Sequence, residues 1–125
     1  MAVNVVWDNN NYTVIRYDFE HPWKLEDYYL AADEVAAQIA LVKHRVNVLM
    51  DLTQSRTLPT QILPAAARAY KIMPHNFGVA VVAGNAYVAG MVKLFNTAYP
   101  ALGSRMIAVK TMDEARDKLA QAIVG

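Results

Sequence analysis

Cysteine is absent from all 125 residues. That absence excludes disulfides, thiolate metal centres and thiol nucleophiles together, and it fits a reducing compartment, with the cytoplasm as the expected location. Long hydrophobic runs are missing too. No stretch approaches the ~20 consecutive apolar residues that a membrane-spanning helix needs. Met1–Asn10 also lacks the basic segment and apolar core of a signal peptide, so neither a membrane span nor a leader is expected. Acids are missing over a long interval: residues 53–112 hold six bases (Arg56, Arg68, Lys71, Lys93, Arg105, Lys110) and no acid, whereas residues 1–52 hold eight acids and four bases. The six bases stand singly, without the basic-aromatic interleaving of a nucleic-acid surface, so nucleic acid is not an expected partner. The three histidines, His21, His44 and His75, lie far apart and form no metal-ligand spacing. Hydrolase elbows, phosphate-binding loops and dinucleotide fingerprints are also lacking. No metal, no cofactor and no catalytic residue is therefore expected.

What is present is apolar and regularly patterned. The apolar fraction of 55% exceeds the roughly 45–50% usual for soluble domains, which predicts apolar surface buried in an oligomer or a ligand pocket. The length suits one domain, residues 1–125, with a single core. Val3–Trp7 and Tyr12–Glu20 flank Asp8-Asn9-Asn10-Asn11, a hairpin in which asparagine supplies the positive φ of the turn. Alternation of Thr13, Ile15, Tyr17 and Phe19 with Val14, Arg16, Asp18 and Glu20 predicts one buried and one wetter face, near a sheet edge. Tyr28, Ala32, Val35, Ile39 and Val42 then recur at helical spacing up to the bases Lys43, His44 and Arg45, which suit a helix C-terminus.

Val46–Leu52 and Phe77–Gly84 are short Val-rich runs, as expected of central strands covered on both faces. Between them Thr60–Met73 reads as a helix, with Thr60 a plausible N-cap, Pro64 in the first turn and Pro74 ending it. A third helix over Ala86–Tyr99 stops at Pro100 and leads through Gly103 to a strand at Arg105–Lys110. A last helix opens with the capping-box spacing of Thr111 and Glu114 and buries Ala115, Leu119, Ala122 and Ile123. The predicted class is α/β, order ββαβαβαβα, with a mixed, mostly parallel sheet and about four helices.

Two loops in this order follow parallel strands and should meet at one sheet edge. One carries Asp51, Thr53, Ser55, Arg56, Thr57 and Thr60; the other carries Gly84 and Asn85. Their hydroxyls, one guanidinium and two helix N-termini suit an anion or a polar headgroup, while the same residues also serve as ordinary loop hydrogen-bonders and caps. The third helix has few polar positions, and Tyr87, Val88, Met91, Val92, Leu94, Phe95 and Tyr99 occupy more than one face. Such a helix buries its extra side in a second subunit, against a lipophilic ligand or membrane surface, or in its own core.

The Asp51-Leu52-Thr53 strand end, the hydroxyl-rich loop entering a helix, the Tyr99-Pro100 turn and the closing Thr111–Leu119 helix together resemble the STAS fold of bacterial anti-sigma-factor antagonists. The similarity is closer to the SpoIIAA-like branch, whose fold is related to CRAL-TRIO lipid-transfer domains. The resemblance implies a non-enzymatic module that binds a protein partner in a bacterial regulatory pathway, or a second copy of itself as a homodimer. It also implies a phosphorylation site at the position of Thr60, although Pro59 stands where the antagonists carry an acid and their following glycine is missing. The alternative reading is a carrier or sensor of a lipophilic small molecule, with the third helix as a lid and Ser55, Arg56, Thr57 and Lys93 holding a polar or anionic head.

Overall fold

The computed structural model describes residues 2–103 and 105–124, and the side chains of Gly103 and residues 122–124 are not described. In chain order the elements are β1 (Val3–Trp7), β2 (Val14–Phe19), α1 (Leu25–Ala40), β3 (Val46–Asp51), α2 (Ile62–Lys71), β4 (Phe77–Ala83), α3 (Ala86–Ala98), α4 (Pro100–Gly103), β5 (Met106–Val109) and α5 (Met112–Val124). The class is α/β, as the alternation of patterns predicts. The five strands lie in sequential order, with β1 antiparallel to β2 and every later pair parallel.

Each crossover steps to the next strand in the same direction, and crossovers of one hand keep their helices on one face. Accordingly α1, α2 and α3 share a core with Ile15, Tyr17, Phe19, Val48, Met50 and Val82. The opposite face is covered by α5, whose Ala115 and Leu119 pack on Leu49, Val81, Ala83 and Val109. The expected burial of Ala122 and Ile123 lies outside the described side chains.

Because α5 lies over β3, β4 and β5, the outer face near the hairpin stays polar. There Arg16 donates to Asp18 (2.7 Å) and to Asp8 (2.6 Å), and Arg116 of α5 reaches the same Asp8 (3.0 Å). This cluster ties the hairpin to the last helix. Burial of Asp8 works to raise its pKa, but hydrogen bonds from Arg116 and Arg16 outweigh it and hold the carboxyl below its ordinary 3.8. A carboxylate with a depressed folded-state pKa stabilises the fold above the unfolded value and loses that contribution as pH falls through the folded one. Asp8→Asn is therefore expected to lower stability at neutral pH and to flatten the loss of stability below about pH 4, read from thermal melts across pH.

Several local expectations change. The positive φ in the hairpin belongs to Tyr12 (φ 56), not to an asparagine. Asn9 acts through its side chain instead, accepting the N–H groups of Thr13 (3.0 Å) and Val14 (3.2 Å). Helix α1 ends at Ala40 with no base in its last turn, short of the expected Lys43–Arg45. Carbonyls at its end and in the loop that follows are met from elsewhere: the Asn76 amide nitrogen lies within hydrogen-bond distance of the carbonyls of Ile39, Val42 and His44. Helix α3 does stop before Pro100, at Ala98 with Tyr99 as its C-cap, but Pro100 then opens an unforeseen fifth helix, the one-turn α4, where its missing N–H costs nothing. At α5 the capping signal is met, since the Thr111 hydroxyl accepts the Glu114 N–H at 3.1 Å.

Candidate functional site

The carboxyl ends of the parallel strands bring the two expected loops together. Asp51 folds its own turn, its Oδ1 accepting the N–H (3.0 Å) and hydroxyl (2.6 Å) of Thr53. Asn85 joins the loops: its Oδ1 accepts the Val88 N–H at 2.9 Å, and its Nδ2 donates to the carbonyls of Ser55 and Arg56 at 3.3 and 3.2 Å. Gly84 lets α3 begin this close to β4, because a Cβ there would lie 2.8 Å from Val88 Cβ.

The chemistry at this edge differs from the expected anion cradle. The N-terminus of α3 is capped by its own Asn85 side chain, which occupies a donor an anion would use. Ser55 is buried, and its Oγ accepts the Trp23 Nε1 hydrogen at 3.0 Å. Arg56 and Thr57 remain exposed, as does Lys93. Thr60 is not the N-cap of α2: that position is Gln61, and the helix starts at Ile62. The reason is Pro59, which favours a turn whose carbonyl accepts the Ile62 N–H at 3.1 Å. Thr60 is left exposed in that turn.

Directly beneath this loop lies a wholly apolar cavity of about 40 Å³. It is lined by Met50 and Val82 of the sheet and Leu52 just past β3, by Ile62, Leu63 and Ala66 of α2, by Val88, Met91, Val92 and Phe95 of α3, and by Leu58 and Trp23. The space follows from sequence. The buried positions of α2 are Ala65, Ala66, Ala67 and Ala69, too short to fill the room between the helix and the sheet. A second cavity of about 20 Å³ adjoins it, sharing Tyr28 and Met50 and lined also by Tyr17 and Tyr70. The Tyr70 hydroxyl is buried without a hydrogen-bond partner among the described residues. Burial pushes the phenols of Tyr17, Tyr28 and Tyr70 upward in pKa.

Helix α3 divides its apolar residues. Val88, Val92 and Phe95 are buried, with Met91 and Tyr99 half-buried beside them. Tyr87 (45% exposed) and Leu94 (54%) face outward, seven residues apart on one stripe. Much of the apolar excess is thus spent in the chain's own core and cavity wall.

The opposite edge holds a feature that linear reading missed. Lys43, Arg45, His75 and Arg105 line one groove of about 440 Å³ with Asn76, Phe77, Gly78 and Val79. Bases up to 62 positions apart in sequence (Lys43 to Arg105) meet because each lies in a loop entering a parallel strand. The usable signal was positional: Arg45 immediately precedes β3, Arg105 immediately precedes β5, and His75 stands two residues before β4.

Among the described residues no group of histidine and carboxylate side chains is placed to hold a metal ion, and no helix is long and apolar enough to cross a membrane. Comparison with protein-family models, curated proteins and solved structures found no match.

Proposed function

We propose that this chain is a STAS-like, non-enzymatic binding module whose cargo is a lipophilic small molecule, held between α2, α3 and the sheet in a carrier or sensor role within the bacterial cytoplasm. The observation that carries the proposal is the all-apolar cavity under the loop after β3. Protein interiors are close-packed, and an unfilled apolar void forfeits contacts that a bound hydrocarbon restores. The walls are also suited to yield. Leu58 and Met91 are half-buried at the rim, Met91 is adaptable in shape, and α3 packs more on α4 and β5 than on α2. Outward movement of α3 or of the Leu58 loop enlarges the cavity without breaking the sheet.

A second reading rests on a separate surface: a protein partner or a second copy of the chain docks on the outer stripe of α3 through Tyr87 and Leu94, with Thr60 available to a kinase. The two readings separate cleanly by native mass spectrometry of the untagged protein. The carrier reading expects a small lipophilic adduct that disappears on denaturation, is lost in Met91→Asp and is kept in Leu94→Asp. The docking reading expects a dimer or partner complex lost in Leu94→Asp. A bare monomer that also takes up no added lipophile would defeat both.

A further inference from the structure

We propose that the groove at the amino ends of β3, β4 and β5 is a second binding site, taking a small soluble molecule with two or more phosphate groups through Lys43, Arg45, His75 and Arg105. It is separate from the apolar cavity, which lies under the loop at the carboxyl ends of the strands, and it does not depend on what that cavity holds. Among the described residues four basic side chains line the groove and no carboxylate does. None of the four takes part in an ion pair among the described residues. Like charges gathered in one concavity raise a positive potential that draws in and retains multivalent anions.

The groove is built rather than accidental. Arg105 is fixed in place: Nε donates to the Gly78 carbonyl at 3.0 Å, a second guanidinium nitrogen donates to the Phe77 carbonyl, and the group lies 4.7 Å over the Phe77 ring. A guanidinium held this way is already ordered, so little freedom is lost when its remaining donors meet a ligand. Gly78 clears the path of Arg45, because a Cβ there would collide with Arg45 Nε and with Asn47 Oδ1. Asn47 is itself buried and accepts the Val79 N–H at 2.9 Å, which pins the backbone floor. The volume of about 440 Å³ falls within the ~300–1,000 Å³ of small-molecule sites. More than one phosphate is inferred because Lys43, Arg45 and Arg105 each carry a permanent charge and arise from two separate loops.

The test is calorimetric titration of the full chain at low salt with pyrophosphate, tripolyphosphate and inorganic phosphate, alongside sedimentation with phosphatidylserine vesicles. Pyrophosphate and tripolyphosphate should bind, more tightly than inorganic phosphate. Lys43→Ala and Arg45→Ala, both exposed positions, should each weaken them about tenfold, the size expected for a lost charge-assisted hydrogen bond. Arg56→Ala at the other edge should leave the affinity unchanged. Failure of wild type to bind either oligophosphate overturns the proposal. So does equal weakening by Arg56→Ala, which would mark diffuse charge attraction. Sedimentation with vesicles in the absence of oligophosphate binding also overturns it, in favour of a lipid-surface contact.

Discussion

Phe95→Ala is expected to lower the unfolding free energy by about 3–5 kcal/mol, the range for removing a buried phenyl ring. Phe95 is 1% exposed, and its ring packs 5.4 Å from that of Tyr70 and 5.2 Å from that of Tyr99. Because Phe95 also lines the existing apolar cavity, truncation extends a void instead of opening a new one. Ala66, the α2 alanine that lines this cavity, is too short to move in and fill it, which sets the loss toward the upper end. Chemical denaturation measures the change. A loss under about 1 kcal/mol would mean that the core collapses around the site, contrary to the packing described. The same variant examines the proposed cargo. If the cavity accepts lipophiles, an added long-chain alcohol should raise the melting temperature of Phe95→Ala in a concentration-dependent way, since a ligand that binds only the folded state stabilises it by mass action. No rise at any soluble concentration would count against the carrier reading while leaving the fold argument intact.

Asn76→Ala is expected to cost about 2–4 kcal/mol, more than a typical buried polar truncation, because the two hydrogens of one amide are shared among three carbonyls. Asn76 stands just before β4 with 9% exposure. Its Nδ2 donates to the carbonyls of Ile39, Val42 and His44 at 3.0, 3.0 and 2.9 Å. Those groups close α1 and lead the chain into β3, and the last turn of α1 contains no base to serve them instead. Alanine leaves these carbonyls without that donor in a part-buried place. Asn76→Asp should be at least as harmful, since it sets a carboxylate against the same carbonyls. Equilibrium urea unfolding of both variants tests this, and near-wild-type midpoints would show that the amide is replaceable by water. Against a total stability of ~5–15 kcal/mol for a domain, either Phe95 or Asn76 is a substantial share.

The outcome at individual residues shows where linear reading succeeds. Ile15, Tyr17 and Phe19 are buried together on one face as their alternation predicts, and the Val-rich runs at β3 and β4 are central strands. Thr111 caps α5 because its partner Glu114 is only three residues away. In each case the information is local: period two or 3.6 reports which side of an element meets the core, and a cap is decided within one turn.

Ser55 shows where it fails. A hydroxyl in a polar loop reads as solvent-facing, yet it is buried against Trp23, 32 positions earlier in the chain. Loops have no periodicity to reveal which way a side chain turns, so that orientation is settled by whatever element packs alongside. Thr60 fails for a local reason, because Pro59 closes a turn and shifts the helix start to Ile62.

By itself, then, the sequence determined the α/β class, the order of the five strands and of four of the five helices (the one-turn α4 was not foreseen), the absence of thiol chemistry and the pairing of the Asp51 and Asn85 loops at one edge, all of which follow from short-range pattern and the geometry of βαβ units. Only the tertiary structure decided the rest. The cavity under α3 exists because Ala66 of α2 faces larger residues from six other elements, and the basic groove exists because three loops entering adjacent parallel strands lie side by side. Both are sums over segments far apart in the chain, and no local pattern records the distance between them.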